Sequence, residues 1–189
     1  MTAAAGLGYS LSGPSLPHSG TVPPAHSPSD PVEKREVLEP VPDGEVPQRI
    51  RMPSVGVDAP VQPVLLGPDQ QLDVPESPAV VGWWSAGAAP GSRAGTVVLA
   101  GHVDTRSAGP GAFFEVADLN PGEIVEVISA SRTTRYRVEA LRSYPKDFLP
   151  MDVFERTGRP RLVLITCGGR FDDGIRQYED NVVAYAVPA

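Results

Sequence analysis

The chain contains a single cysteine, Cys167, among its 189 residues. A disulfide within the chain is therefore excluded, and so is a metal site built from several cysteines. This count does not decide the cellular compartment, because exported proteins can also lack disulfides. A lone thiol can be inert or reactive, so its neighbours in the sequence have to be considered.

Basic residues and long apolar runs are also scarce. The chain has 16 Lys and Arg against 23 Asp and Glu, a net charge of −7. This balance argues against a nucleic-acid partner, which requires Lys and Arg clustered on one face. No run approaches the roughly 18 to 20 apolar residues of a membrane span. The sequence predicts a soluble chain that reaches a membrane only through an anchor absent from it.

Proline and glycine are abundant, with 22 and 19 residues. Residues 1–46 hold many of the prolines and show almost no periodic apolar pattern. Proline lacks an amide donor, and Ser/Gly/Pro tracts bury too little surface to offset the entropy of ordering. We therefore predict that residues 1–46 form an extended linker or tail and that residues 47–189 form one folded domain.

Short β-branched runs separated by turn residues dominate the predicted domain. Seven strands are predicted: Gln48–Met52, Val61–Leu66, Thr96–Ala100, Glu123–Ser129, Thr134–Leu141, Arg161–Thr166 and Val182–Val187. Only Gly111–Leu119 and Asp152–Arg156 have a helical pattern, and both are short. Seven or eight strands with one or two short helices indicate an all-β barrel or sandwich.

Two of these strands deliver a reactive residue at their C-terminal ends. The apolar strand Thr96–Ala100 leads to Gly101 and His102, and Arg161–Thr166 leads to Cys167 and two glycines. His18 and His26 lie in the predicted linker, so His102 is the only histidine of the predicted domain. An imidazolium favours the thiolate form of a nearby cysteine, which is the nucleophile. A buried, inert Cys167 and a structural His102 remain the competing interpretation.

The motifs around these residues resemble the class F sortases of actinobacteria. The resemblance rests on residues 100–104 (Ala-Gly-His-Val-Asp), 164–169 (Leu-Ile-Thr-Cys-Gly-Gly) and 180–183 (Asp-Asn-Val-Val). It extends through Gly82-Trp83-Trp84, Pro90-Gly91, residues 109–114 and Pro145-Lys146-Asp147, and so covers roughly residues 48–187. It implies a closed eight-stranded barrel, no cofactor, and a location at the outer face of the cell membrane or in the cell wall.

The resemblance also implies a reaction. Cys167 would attack the Thr carbonyl of a Leu-Pro-X-Thr-Gly-like sorting signal in a surface protein, and His102 would protonate the departing Gly amine. An amine acceptor such as a peptidoglycan precursor, or water, would then resolve the acyl-enzyme.

Sortases further require an arginine to stabilise the oxyanion, normally at the start of the last strand. Asn181 stands nearest that place here, so we expect Arg176, folding back from a loop, to take this role, with Arg170 as the alternative. Asp104 either orients His102 or caps a turn. The Thr166 hydroxyl is a candidate contact to substrate or oxyanion.

The remaining polar and aromatic clusters each have two interpretations. Trp83 and Trp84 either line a pocket for the Leu-Pro part of the signal or pack on the barrel. An acidic group follows the cysteine: Asp172, Asp173, Glu179 and Asp180. Its spacing does not match an EF-hand, so we expect a solvated loop and no metal.

Two other kinds of β-rich protein are alternatives to a sortase. An L,D-transpeptidase joins its histidine closely to its cysteine, whereas His102 and Cys167 are far apart in this sequence. A catalytically silent barrel that binds peptides or cell-wall components stays open.

Overall fold

The structure is a computed structural model that describes residues 17–26, 45–67 and 71–189. Within these ranges the chain forms eleven strands. They are β1 (Ser19–Gly20), β2 (Pro47–Met52), β3 (Val57–Val64), β4 (Val81–Trp84), β5 (Thr96–Ala100), β6 (Asp104–Thr105), β7 (Gly109–Pro110), β8 (Ile124–Ser129), β9 (Thr133–Pro145), β10 (Arg161–Asp172) and β11 (Gln177–Pro188). The helical segments are short 3-10 turns: Pro53–Val55, Phe114–Asp118 and Met151–Phe154.

Eight of the strands close into a barrel. Their order is β9-β11-β10-β5-β4-β3-β2-β8, and β8 pairs back to β9. The two-residue strand β1 pairs with Ala140 and Leu141 of β9, beyond the part of β9 that pairs with β8. The predicted all-β, eight-stranded barrel is thereby confirmed. The two helical patterns correspond to 3-10 turns at Phe114–Asp118 and Met151–Phe154.

Strand β5 and the first half of strand β10 are apolar and are buried on both faces of the sheet. Alternate residues of β5 and β10, such as Leu99 and Leu164, enter the larger core cluster. The residues between them, such as Val98 and Val163, join a second cluster on the other face of the sheet. Burial on both sides explains why these strands read as continuous apolar runs. Each fully buried Val or Leu contributes about 1.5–3 kcal/mol.

The pairing of β5 with β10 positions the two strand ends that the sequence singled out. The strands run parallel, and Ala100 is paired with Ile165. The next residues of each strand are Gly101 and His102 on one side and Thr166 and Cys167 on the other. Parallel strands in this register bring the histidine and the cysteine to the same end of the sheet.

The region after Cys167 differs from the prediction. The expected strands Arg161–Thr166 and Val182–Val187 are longer and form a β-hairpin, so the predicted acidic loop belongs largely to paired strands. The glycines after Cys167 suggested a strand end, but the strand continues through a register shift between Gly168 and Phe171. Gly169 has φ +77°, which a glycine adopts without strain.

Residues 17–26, which fall within the predicted linker, contact the barrel. Ser19 and Gly20 pair with Leu141 and Ala140 of β9, and the Arg142 guanidinium donates to both of their carbonyls, at 2.6 Å each. Backbone hydrogen bonds, which leave no apolar period in the sequence, hold this segment on the barrel. The rest of the predicted linker, residues 1–16 and 27–44, lies outside the described residues.

A second histidine thereby joins His102 on the domain, because His26 Nε2 lies 3.2 Å from Glu155 Oε2. Searching the described residues for a helix long and apolar enough to cross a membrane finds none.

Candidate active site

Thr166 joins the two strand ends that carry His102 and Cys167. Its hydroxyl donates to the Gly101 carbonyl at 3.0 Å, and the Gly101 amide donates to the Ile165 carbonyl at 3.1 Å. Thr166 is 4% exposed. The hydroxyl that the sequence suggested for substrate or oxyanion therefore already has a structural partner, and it fixes the spacing between the two strands.

His102 is held through its backbone and its ring. Its carbonyl accepts from the Phe113 amide at 3.0 Å, and the Phe113 ring fills the space that a Cβ on Gly101 would need. The ring atom Nε2 lies 2.8 Å from the Pro75 carbonyl oxygen. A carbonyl can only accept, so this hydrogen bond requires a proton on Nε2. Nδ1 is then the nitrogen left to exchange a proton in the neutral ring.

Cys167 is half-buried and contacts a lysine. Lys146 Nζ donates to Cys167 Sγ at 2.9 Å and to Asn181 Oδ1 at 2.8 Å. Asn181 lies directly across from Cys167 in the β10–β11 pair. Lys146 belongs to the Pro145-Lys146-Asp147 motif of the resemblance, which implies no role for it. Counting could have found it, because Lys146 is the only lysine of residues 47–189, as His102 is their only histidine.

His102 and Cys167 are hydrogen-bonded to other residues and not to each other. Within the described ranges, the His102 ring bonds to Pro75 and the Cys167 sulfur to Lys146, so no hydrogen bond joins His102 to Cys167. The register of β5 and β10 brings the two residues to one end of the sheet without a direct bond. A substrate carbonyl that approaches this end of the sheet would meet the imidazole of His102 after β5. It would also meet the sulfur of Cys167 in β10, to which the ammonium of Lys146 is bonded.

Asp104 binds a tyrosine. The Tyr178 hydroxyl donates to Asp104 Oδ2 at 2.7 Å, so this carboxylate contacts β11 and makes no hydrogen bond to His102 among the described residues. Burial and the Asp104 carboxylate raise the pKa of Tyr178 to about 12, and Cys167 adds to the shift. Tyr178, which the sequence did not single out, is therefore within electrostatic reach of the sulfur and keeps its proton at neutral pH.

Of the two candidate arginines, Arg170 is bound to Glu179 and Arg176 lies in the turn of the β10–β11 hairpin. Arg170 donates to Glu179 Oε1 at 2.9 and 3.0 Å, and this carboxylate holds the pKa of Arg170 above its ordinary value. Arg176 is exposed in the hairpin turn, with φ +56°. Asn181 lies five positions further along the chain, about 16 Å along a strand. In the described part of the chain, neither arginine makes a hydrogen bond to Cys167 or His102.

Comparison with known proteins identifies the family. A family model described as a sortase domain matches residues 50–189, about three quarters of the chain. The chain belongs to the sortase family. Sortases are cysteine transpeptidases that anchor proteins at the cell surface, so the chain is an enzyme of that kind. A search of curated proteins gave no match.

Solved sortase structures share the fold at low sequence identity. Sortase C2 of Group B Streptococcus pilus island 1 is 18% identical, with a TM-score of 0.58 over 75% of this chain and 72% of that one. A lid mutant of sortase A from Corynebacterium diphtheriae is 17% identical, with a TM-score of 0.59 over 76% and 70%. Sortase C from Clostridium perfringens is 16% identical, with a TM-score of 0.52 over 79% and 72%.

The two tryptophans of this sortase pack inside the domain. Trp83 is 2% exposed and its indole N–H donates to the Ala88 carbonyl at 3.2 Å. Trp84 is 5% exposed and meets the Phe154 ring edge-on at 5.3 Å. Packing therefore accounts for both side chains, and the predicted Leu-Pro pocket would need other residues.

The acidic group after Cys167 lies in the β10–β11 hairpin, and two of its four members have hydrogen-bond partners. Asp172 accepts from the Gly174 and Ile175 amides in the turn, and Glu179 is paired with Arg170. In the described ranges, no three His, Cys, Asp or Glu side chains are arranged to hold a metal ion.

A groove of about 600 Å³ is lined in part by Pro75, the residue whose carbonyl is hydrogen-bonded to the His102 ring. Its lining includes the apolar Val64 and Leu65 together with the acidic Asp73 and Glu76. The groove therefore borders the residue whose carbonyl binds the His102 ring.

Proposed function

We propose that this sortase cleaves a Leu-Pro-X-Thr-Gly-like sorting signal between Thr and Gly, with Cys167 as nucleophile and His102 as general acid and base. The observation that carries the proposal is the Ala100–Ile165 pairing of parallel β5 and β10, since it brings the two residues to one end of the sheet. Rigid strands are well suited to holding reactive groups in a fixed geometry.

The first half of the reaction forms a thioester. The Cys167 thiolate attacks the Thr carbonyl carbon while His102 is a doubly protonated imidazolium, and the carbonyl electron pair moves onto oxygen. When the tetrahedral intermediate collapses, the C–N bond breaks and the Gly amine leaves with a proton from His102. A positioned acid that supplies this proton contributes about 10²–10⁴-fold in rate.

The second half transfers the acyl group. An amine acceptor, such as that of a peptidoglycan precursor, attacks the thioester carbon and gives a proton to His102, and the Cys167 thiolate leaves. Water in place of the amine gives hydrolysis. Splitting one amide exchange into two acyl transfers is what a covalent nucleophile accomplishes.

The finer assignment within the family is also part of this proposal. The His, Cys and Asp-Asn-Val-Val motifs support class F, and activity at the outer face of the cell follows from the sorting-signal substrate and the cell-wall acceptor. The cleavage assay described next identifies the preferred signal.

A peptide-library cleavage assay read by mass spectrometry tests the proposal. Wild-type protein should cleave Leu-Pro-X-Thr-Gly-like peptides and accumulate an acyl adduct on Cys167, Cys167→Ala should show neither, and His102→Ala should lose about 10²–10⁴-fold in kcat. Peptides that bind without cleavage or adduct would instead identify a catalytically silent barrel and reject the proposal.

A further inference from the structure

We propose that Lys146 is a catalytic residue of this sortase and supplies the positive charge of its active site. Its ammonium, held by Asn181, stabilises the Cys167 thiolate and then the oxyanion formed when that thiolate attacks. The inference rests on the proposed function, because it assigns a role within the same acyl transfer.

The pairing of three strands fixes the position of Lys146. The residue follows the end of β9, and its amide donates to the Glu179 carbonyl of β11 at 2.9 Å. Asn181 holds both ends of the residue, because Oδ1 accepts from the ammonium at 2.8 Å and Nδ2 donates to the Lys146 carbonyl at 3.4 Å. A flexible lysine side chain is thereby directed toward the residue across from Asn181, which is Cys167.

The charge on Lys146 has no carboxylate partner among the described residues. The nearby Glu179 is paired with Arg170. The ammonium of Lys146 bonds instead to a neutral amide oxygen and to sulfur. A partly buried charge is stabilised by an opposite charge beside it, and deprotonated Cys167 is the group in position to provide one. The thiolate is the reactive form of cysteine.

The same ammonium can follow the charge during attack. As the sulfur–carbon bond forms, negative charge moves from sulfur to the carbonyl oxygen on the attacked carbon. An ammonium has three donors. One is used by Asn181 and one by sulfur, so the third remains for that oxygen. A donor aimed at a developing oxyanion contributes about 10²–10³-fold in kcat.

Thiol alkylation tests the inference without any peptide substrate. Lys146→Met should be alkylated by iodoacetamide at pH 7 at least about ten-fold more slowly than wild type, with the pH–rate profile moved to higher pH. Lys146→Arg, which keeps the charge, should restore most of the rate. His102 and Tyr178, the other titratable groups near this sulfur, are unchanged in both variants.

Peptide cleavage measures the second role of Lys146, the stabilisation of the oxyanion. Lys146→Met should lose about 10²–10³-fold in kcat. Lys34→Met, which removes the only other lysine of the sequence, is the matched control and should behave as wild type. Far-ultraviolet circular dichroism and thermal melting check folding. If Lys146→Met misfolds, the comparison of Lys146→Arg with Asn181→Ala replaces it.

The two proposals fail in different ways. Wild-type protein that cleaves no signal peptide rejects the proposed function, while alkylation still reports on Lys146. A folded Lys146→Met variant with the wild-type alkylation rate and pH profile overturns the inference, even if Cys167→Ala abolishes signal cleavage and so supports the proposed function.

Discussion

Cys167 and Asn181 face each other across β10 and β11, and the ammonium of Lys146 bridges their side chains, 2.9 Å from sulfur and 2.8 Å from the amide oxygen. The resemblance to sortases implied an arginine near the position of Asn181. In this chain Lys146, directly after the neighbouring strand β9, brings a cation to the same place, and the asparagine orients it.

Asn181→Ala should therefore weaken catalysis without touching either reacting residue. Loss of the amide oxygen frees the Lys146 ammonium, and a hydrogen bond to a charged group contributes about 1.5–3 kcal/mol. We expect kcat for signal-peptide cleavage to fall about ten-fold or more, with KM little changed. Asn120→Ala, which removes an exposed amide that donates to the Asp118 carbonyl, is the control. An Asn181→Ala variant with wild-type kcat would contradict this role.

The arginines should contribute little. Arg176→Ala and Arg170→Ala should each keep kcat within about two-fold of wild type, because one residue lies in the hairpin turn and the other binds Glu179. Their exposed positions make large changes in melting temperature unexpected. A loss of 100-fold or more in either variant would instead support the arginine expected from the sequence, and steady-state cleavage kinetics distinguish the two results.

The barrel and the neighbouring strand ends were predictable because their signals are local. Apolar runs such as Thr96–Ala100 follow from burial on both faces, and His102 and Cys167 each come directly after a buried strand. The Lys146 contact has no local signal, since it depends on the register of three strands. The hairpin after Cys167 was missed for a related reason: its residues are mostly exposed, so no apolar period marks them.

Acid should remove the contribution of Glu155 to stability. Burial raises the pKa of this carboxyl, but hydrogen bonds from the Thr157 hydroxyl and amide and the contact with His26 outweigh it, so the pKa falls from 4.5 to about 2. A lowered folded-state pKa contributes stability that is complete above about 4.5 and is lost as the pH falls toward 2.

Glu155→Gln measures that contribution. The variant should melt below wild type at pH 6, and the difference in melting temperature should shrink as the pH falls from about 4.5 to 2. Glu123→Gln, a change at a carboxylate distant from His26 and Thr157, serves as the comparison. A difference between wild type and Glu155→Gln that stays constant from pH 6 to pH 2 would show that the carboxylate is not the source of the effect.

Variants of Thr166 distinguish a structural role of its hydroxyl from a catalytic role. Thr166→Val keeps the shape of the side chain and removes the hydrogen bond to the buried Gly101 carbonyl. An unsatisfied buried acceptor costs about 1–3 kcal/mol, so urea denaturation should show a loss of that size. Thr166→Ser retains the hydroxyl and should recover most of the loss. Because the same bond spaces His102 from Cys167, kcat should fall together with stability. A Thr166→Val variant that is fully stable but about 100-fold slower would mean that the hydroxyl acts on the substrate or the oxyanion, the role suggested by the sequence.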